Sequence, residues 1–239
     1  MTAGDTFWSI PRLVAGVDYG LSVSDIIEIE QKYQTKPVAA VEGIGNEVNA
    51  MGPWRVQYVS MAKQITTQVV PDAPPGLKYA LKITVVEATN VEYGDFLQVY
   101  QSIPYPEGGI ICDEEINNSP LFVWFWIKSS LTGTFGFALN NSSGTRNRTT
   151  SFSISTANTW QHVFFPDIGR DINGIWEADG HGTGGFVQIC MASGAKYQTD
   201  NVNQWQDGDF LMQSGITNSQ FLNTSGATFS IAGLTVRRK

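Results

Sequence analysis

Between Leu121 and Lys128 the side chains alternate with a period of two: Leu121, Val123, Phe125 and Ile127 fall on one side, and Phe122, Trp124, Trp126 and Lys128 on the other. A strand sends successive side chains to opposite faces, whereas a helix groups positions three and four apart. The first set predicts a core face. A solvated outer face would not carry three large aromatics in a row. The second set therefore predicts a surface covered by another part of the chain, by a neighbouring subunit or by a flat ligand.

The same strand-and-turn rhythm runs from Leu77 to the C-terminus. Tyr79, Leu81, Ile83 and Val85 alternate, and Leu97, Val99 and Ile103 oppose Phe96, Gln98 and Tyr100. Further strands are expected at 121–128, 134–139, 150–155, 160–165, 185–191 and 227–236, separated by turns such as Gly94-Asp95, Asn141–Gly144 and Gly184-Gly185. Short strands at this spacing predict an all-β fold, a jelly-roll β-sandwich, which is a common way of limiting exposed sheet edges. The breaker cluster Pro71–Gly76 divides the chain into an N-terminal extension, 1–76, and a jelly-roll domain, 77–239. Within the extension, 24–33 reads as a short helix with Ser24 as N-cap, although the alternation of Asp25–Gln31 also fits a strand.

Charged residues make up 15% of the 239 residues and the net charge is −7. A phosphate-binding surface needs clustered Lys and Arg. No nucleic-acid partner is expected, and Arg237-Arg238-Lys239 reads as a solvated tail. No apolar run is long enough to cross a bilayer as a helix, so no membrane insertion is expected. The first residues, MTAGDTFWSIPRL, lack the basic and apolar regions of a secretory signal, which predicts a soluble chain made in a cytoplasm and carried outside the cell, if it acts there, by something other than secretion. Two cysteines, Cys112 and Cys190, do not make a disulfide framework, and Cys190 in FVQICM reads as a small buried hydrophobe. With only His162 and His181 beside them there is no zinc-ligand spacing, and neither metal nor cofactor is expected.

Catalysis finds little support. Glycoside hydrolysis needs two carboxylates across a cleft, and the run Asp113-Glu114-Glu115 reads instead as a solvated turn. That run, or Asp207 and Asp209, offers oxygen ligands to calcium, but without EF-hand spacing. Glu177, Asp179 and His181 lie near one another in sequence with no GxSxG nucleophile, and read as a surface turn. The Asn-X-Ser/Thr matches at Asn117, Asn140, Asn141, Asn147 and Asn223 read as turn residues. The chain is expected not to be an enzyme. Aromatics reach 12%, with seven Trp. Trp124, Trp126, Tyr100, Trp160 and His162 are the candidate glycan-binding platform, because rings stack on apolar sugar faces while Asn, Asp and Gln bond hydroxyls. The competing reading is that these rings fill the sandwich or a subunit contact.

Several segments then carry a family resemblance. Phe125–Phe135 (FWIKSSLTGTF), Ala138–Ser142 (ALNNS), Phe152–Ser155 (FSIS), Ala157–Trp160 (ANTW) and Gly174–Trp176 (GIW) resemble, in order, a domain found in many tailed-bacteriophage virion proteins. Tyr197–Thr199, Trp205–Phe210 (WQDGDF) and Gly226–Leu234 (GATFSIAGL) are similar to its closing third, while Gln101–Pro104 (QSIP) departs from it. The resemblance covers about 95–236 and leaves out 1–75. It implies a jelly-roll domain similar to carbohydrate-binding modules, as in tail fibres and head fibres, with a structural or receptor-binding role and no catalysis. The partners it implies are other virion proteins (capsid, portal or tail), further copies of the chain in a homo-oligomer, usually a trimer, and host surface polysaccharide. The implied location is the virion, assembled in the host cytoplasm, with the segment 1–76 serving attachment or oligomerisation. The alternative is a capsid decoration or tail connector protein that binds only other virion proteins.

Overall fold

The computed structural model describes residues 9–11, 18–20, 36–38, 46–51, 54–59, 65–104, 121–176, 183–216 and 219–238, and side chains within 54–59, 65–103, 121–176, 183–216 and 221–236. The helix expected over 24–33, Cys112, the acidic run 113–115 and the Glu177–His181 segment lie outside them.

The strands in chain order are β1 (Ser9–Pro11), β2 (Asp18–Gly20), β3 (Lys36–Val38), β4 (Asn46–Met51), β5 (Trp54–Val59), β6 (Ile65–Val70), β7 (Ala80–Val85), β8 (Phe96–Pro104) and β9 (Leu121–Ser129). They continue with β10 (Gly133–Asn141), β11 (Arg146–Ile154), β12 (Gln161–Ile168), β13 (Thr183–Ser193), β14 (Gln198–Thr199), β15 (Trp205–Asp207), β16 (Met212–Gln213) and β17 (Thr228–Arg238). A four-residue helix, α1 (Ser219–Leu222), precedes the last strand. One seven-stranded sheet runs β15-β11-β10-β13-β8-β5-β4, and a six-stranded sheet runs β12-β9-β17-β7-β6-β3. Pairing within both is antiparallel. Successive strands keep crossing between the sheets, from β7 to β8, from β8 to β9 and from β9 to β10, and the fold is a jelly-roll β-sandwich.

The alternation on β9 places Leu121, Val123, Phe125 and Ile127 fully inside. There Phe125 meets Phe137, Phe152 and Phe165 from the other elements of the core. Leu97 and Val99 of β8 and Val187 and Ile189 of β13 face them from the seven-stranded sheet. Each buried side chain of this size removes apolar area worth about 1.5–3 kcal/mol from water. The two faces pressed together therefore supply the main drive to fold.

The boundary expected at residue 76 does not coincide with a boundary in the sheets. β5 pairs with β8, and β6 pairs with β7 in the register Val70↔Ala80. Pro71–Gly76 is thus part of a loop joining two neighbouring strands of one sheet. Gly76 takes a φ of +87°, and the Leu77 N–H donates to the Pro74 carbonyl at 3.1 Å. Pro75 followed by a left-handed glycine is the chemistry of a type II turn. A cluster of breakers marks a change of direction, and here the chain turns back into the sheet it has just left.

Candidate functional site

The outer faces of the two sheets differ in character. On the six-stranded sheet β9 turns Phe122, Trp124 and Trp126 outward, since the alternate positions are core. Neighbouring β12 adds His162 and Phe164, which pair in register with Trp126 and Trp124. The Phe122 and Phe164 rings stack at 6.0 Å within 10°, the Trp126 and His162 rings lie 4.9 Å apart, and Phe164 is half exposed. At the sheet edge Lys128 donates to Asp72, the Trp160 indole N–H donates to Asp72 at 3.3 Å, and the Lys128 ammonium sits 5.3 Å from the Trp160 ring centre. The Lys128 hydrogen bond, joined by that of Trp160 and opposed by partial burial, holds the Asp72 carboxyl below its usual range.

The seven-stranded sheet carries a polar outer face. Gln98 and Tyr100 of β8, Gln188 of β13, Asn140 of β10, and Asn147 and Thr149 of β11 are all buried there. Their cover includes the segment 195–213, which crosses the sheet at β10. A Cβ on Gly136 would stand 2.1 Å from the Leu211 carbonyl oxygen, so only glycine permits the crossing. Leu211 and Met212 then pack on Phe96 and Cys190 as a small second core. Burial there pushes the Cys190 thiol up, and Cys190 is a small buried hydrophobe as expected. Two further bonds fix the crossing: Asn147 Nδ2 donates to the Phe210 carbonyl at 2.8 Å, and the Leu211 N–H donates to the Tyr197 carbonyl at 2.8 Å.

Beside this crossing lies an open cleft of about 470 Å³, within the roughly 300–1,000 Å³ range of small-ligand sites. Aromatic rings line it in two edge-to-face pairs, Tyr100 with Phe186 at 5.6 Å and Phe96 with Tyr197 at 4.9 Å. Among the described residues the polar lining consists of amides and one carboxyl: Gln57, Gln98, Gln188, Asn140 and Asp209, with Ser142 and Ser143 on the β10–β11 turn. Gln98 Nε2 donates to Gln57 Oε1 at 2.9 Å. Gln98 Oε1 and Gln188 Oε1 are buried and accept no hydrogen bond within the protein. A buried amide oxygen without a donor is costly, and two of them in one cleft suit a ligand that brings donors.

Asp209 is held by a chain of side chains. Thr149 Oγ1 donates to Asn147 Oδ1 at 2.6 Å, Asn147 Nδ2 donates to Asn140 Oδ1, and Asn140 Nδ2 donates to Asp209 Oδ1. The residue is exposed at the cleft mouth, yet the protein around its carboxyl desolvates it enough to raise its pKa against the opposing pull of Asn140 and Lys196.

A second buried polar centre braces the far side of the same hairpin. The Arg146 guanidinium bonds both oxygens of fully buried Asp171 and reaches Asp207 at 2.8 Å. The Trp176 indole N–H donates to Asp171 at 3.1 Å, and Trp176 packs edge-on against Trp205 at 5.5 Å. Burial alone would raise the Asp171 carboxyl, but its bonds from Arg146, Trp176 and Asn173 outweigh that and hold it below the usual range.

The five residues expected to form one glycan platform are split between these surfaces. Tyr100 is in the cleft of the seven-stranded sheet, Trp124, Trp126 and His162 share the outer face of the six-stranded sheet, and Trp160 lies at that sheet's edge. Period two reports which residues of one strand share a face, not which sheet the strand joins. Gln57, Gln98, Gln188, Asn140 and Phe186 were not singled out as binding residues. The available signal was the outward set Phe96, Gln98 and Tyr100 on β8. Asp207 and Asp209, considered together as oxygen ligands, serve separate partners, Arg146 and Asn140.

No protein-family model matches the chain, and no curated protein matches it. Among solved structures it is similar to the family 11 carbohydrate-binding module of a cellulosomal cellulase of Clostridium thermocellum, at 13% identity over 87% of this chain and 96% of that one, TM-score 0.41. It is similar to a family 61 module in complex with β-1,4-galactotriose, at 14% identity over 80% and 91% of the two chains, TM-score 0.39. A third is the xylan-binding domain CBM22-1 of Xyn10C from Paenibacillus barcinonensis, at 7% identity over 86% and 96%, TM-score 0.35.

Proposed function

We propose that this chain is a non-catalytic glycan-binding protein whose sugar site is the cleft on the seven-stranded sheet. The observation that carries this reading is the pairing of aromatic rings with the unsatisfied amide oxygens of Gln98 and Gln188 in one open cleft. A saccharide offers those oxygens hydroxyl donors at fixed spacing beside apolar C–H faces. Among the described lining residues the cleft has a single carboxyl, Asp209, where hydrolysis needs a pair. Affinity electrophoresis in gels containing soluble polysaccharides tests the reading. At least one neutral polysaccharide should retard the wild-type chain, and Gln98→Ala should abolish the retardation while circular dichroism stays native. Unretarded migration in every gel would overturn it.

We further propose that the protein carrying this site is a virion appendage of a tailed bacteriophage that uses the cleft on host surface polysaccharide. The collinear resemblance over 95–236 supports this reading. The part of segment 1–76 outside the two sheets would serve attachment to capsid, portal or tail, and the aromatic outer face of the six-stranded sheet would form the contact between copies in a trimer. Exposed Phe164, beside half-buried Phe122, Trp124 and Trp126, supports such a contact. Mass spectrometry of purified particles and light scattering of the isolated chain test these two points. Absence of the chain from particles would refute the first, and a 26.2 kDa species alone the second.

A further inference from the structure

Resting on the reading of the cleft as a glycan site, we propose that it selects neutral, hydroxyl-rich sugars and rejects uronates, with Asp209 as the residue that sets this specificity. Two of the described lining groups are amide oxygens with no donor of their own. Gln98 Oε1 and Gln188 Oε1 are buried without a donor on side chains at 4% and 7% exposure, and one amide hydrogen of Gln98 is taken by Gln57. Asp209 adds a carboxyl whose position is fixed by the relay Thr149–Asn147–Asn140, all three buried. No Lys, Arg or His occurs among the described lining residues. Lys196, whose ammonium sits 5.0 Å from the Tyr197 ring centre, and Arg55, the register partner of Tyr100, stand outside that lining.

A neutral hexose donates from each hydroxyl and satisfies these acceptors. A uronate replaces one donor by a second negative charge that can only accept. Placed beside a fixed carboxylate with no cation among the described lining residues, it meets like-charge repulsion as well as unpaired acceptors, and both act against binding. Rejection built from a repulsive group gives sharper selectivity than attraction alone.

The test uses the intact chain at pH 8 and matched tetrasaccharides differing only at C6: gluco, manno and galacto oligomers, each against its uronate counterpart, by titration calorimetry. The expected result is that the neutral member of a bound pair wins by at least about tenfold. Asp209→Asn keeps an acceptor for Asn140 but removes the charge, and should narrow the gap by raising uronate affinity. Equal affinity of the wild-type chain for both members, or an unchanged gap in Asp209→Asn, would overturn the inference while leaving the cleft a glycan site. Binding of neither member of any pair would refute the glycan reading itself, and the inference with it.

Discussion

Tyr100 and Trp124 point away from each other on opposite outer faces of the sandwich, one into the cleft over the seven-stranded sheet and the other onto the aromatic face of the six-stranded sheet. Sheets in such a sandwich pack roughly 10 Å apart, so no single small ligand touches both rings. Tyr100→Ala is expected to weaken glycan binding by about tenfold or more, roughly 1.4 kcal/mol. Trp124→Ala should leave it unchanged. Calorimetry on the two variants checks the split, and equal losses would contradict it.

The Arg146–Asp171 pair should be a main source of local stability. Arg146→Ala strands a carboxylate that is fully buried in the folded chain. Breaking one partner of a buried pair costs about 3–5 kcal/mol, on the order of a 10 °C fall in Tm for a chain of this size. Differential scanning calorimetry reads it directly. A fall under about 2 °C would show that the pair contributes little.

Acid should act on Asp171 and Asp209 in opposite directions. Asp171 lies below its usual value of 3.8 in the folded chain. Its contribution is therefore present above that pH and is lost as pH falls through the lower folded value. Asp209 lies above 3.8, so its contribution is present below that pH and is lost as pH rises through the higher folded value. Asp171→Asn should flatten the acid limb of a Tm-against-pH curve, and Asp209→Asn should remove part of the decline on the rising limb. Identical pH profiles in wild type and both variants would be inconsistent with these environments.

Gly136→Ala should destabilise the chain by about 1–3 kcal/mol, the usual cost of overpacking, because the new methyl meets the Leu211 carbonyl. Lifting the 195–213 crossing also disturbs Phe210 and Asp209, so glycan affinity should fall together with Tm. Chemical denaturation followed by calorimetry measures both. A stable variant with reduced affinity would separate the crossing from the fold.

Much of the sandwich was legible because its signal is local. Leu121, Val123, Phe125 and Ile127 lie two apart on one strand, and all four are buried without exposure. Strands β5 and β6 were harder to read. Trp54, Val56 and Tyr58 also alternate into the core, but they precede a Pro-rich turn that suggests a linker. The cleft was least legible. Gln57, Gln98 and Gln188 become neighbours only through the order β13-β8-β5, which depends on long-range pairing. Isolated glutamines in β-strands carry no motif. Asp209 offers an oxygen in the sequence, but its partner Asn140 comes from the distant β10–β11 hairpin.

The side-chain amide resonances of Gln57, Gln98, Gln188 and Asn140, followed by nitrogen–proton correlation NMR during titration with a neutral oligosaccharide that the chain binds, test the account most directly. The Gln98 and Gln188 amides should shift progressively while the Trp124 and Trp126 indole signals stay in place. Movement of the indole signals with the glutamine amides unmoved would put the sugar on the wrong sheet.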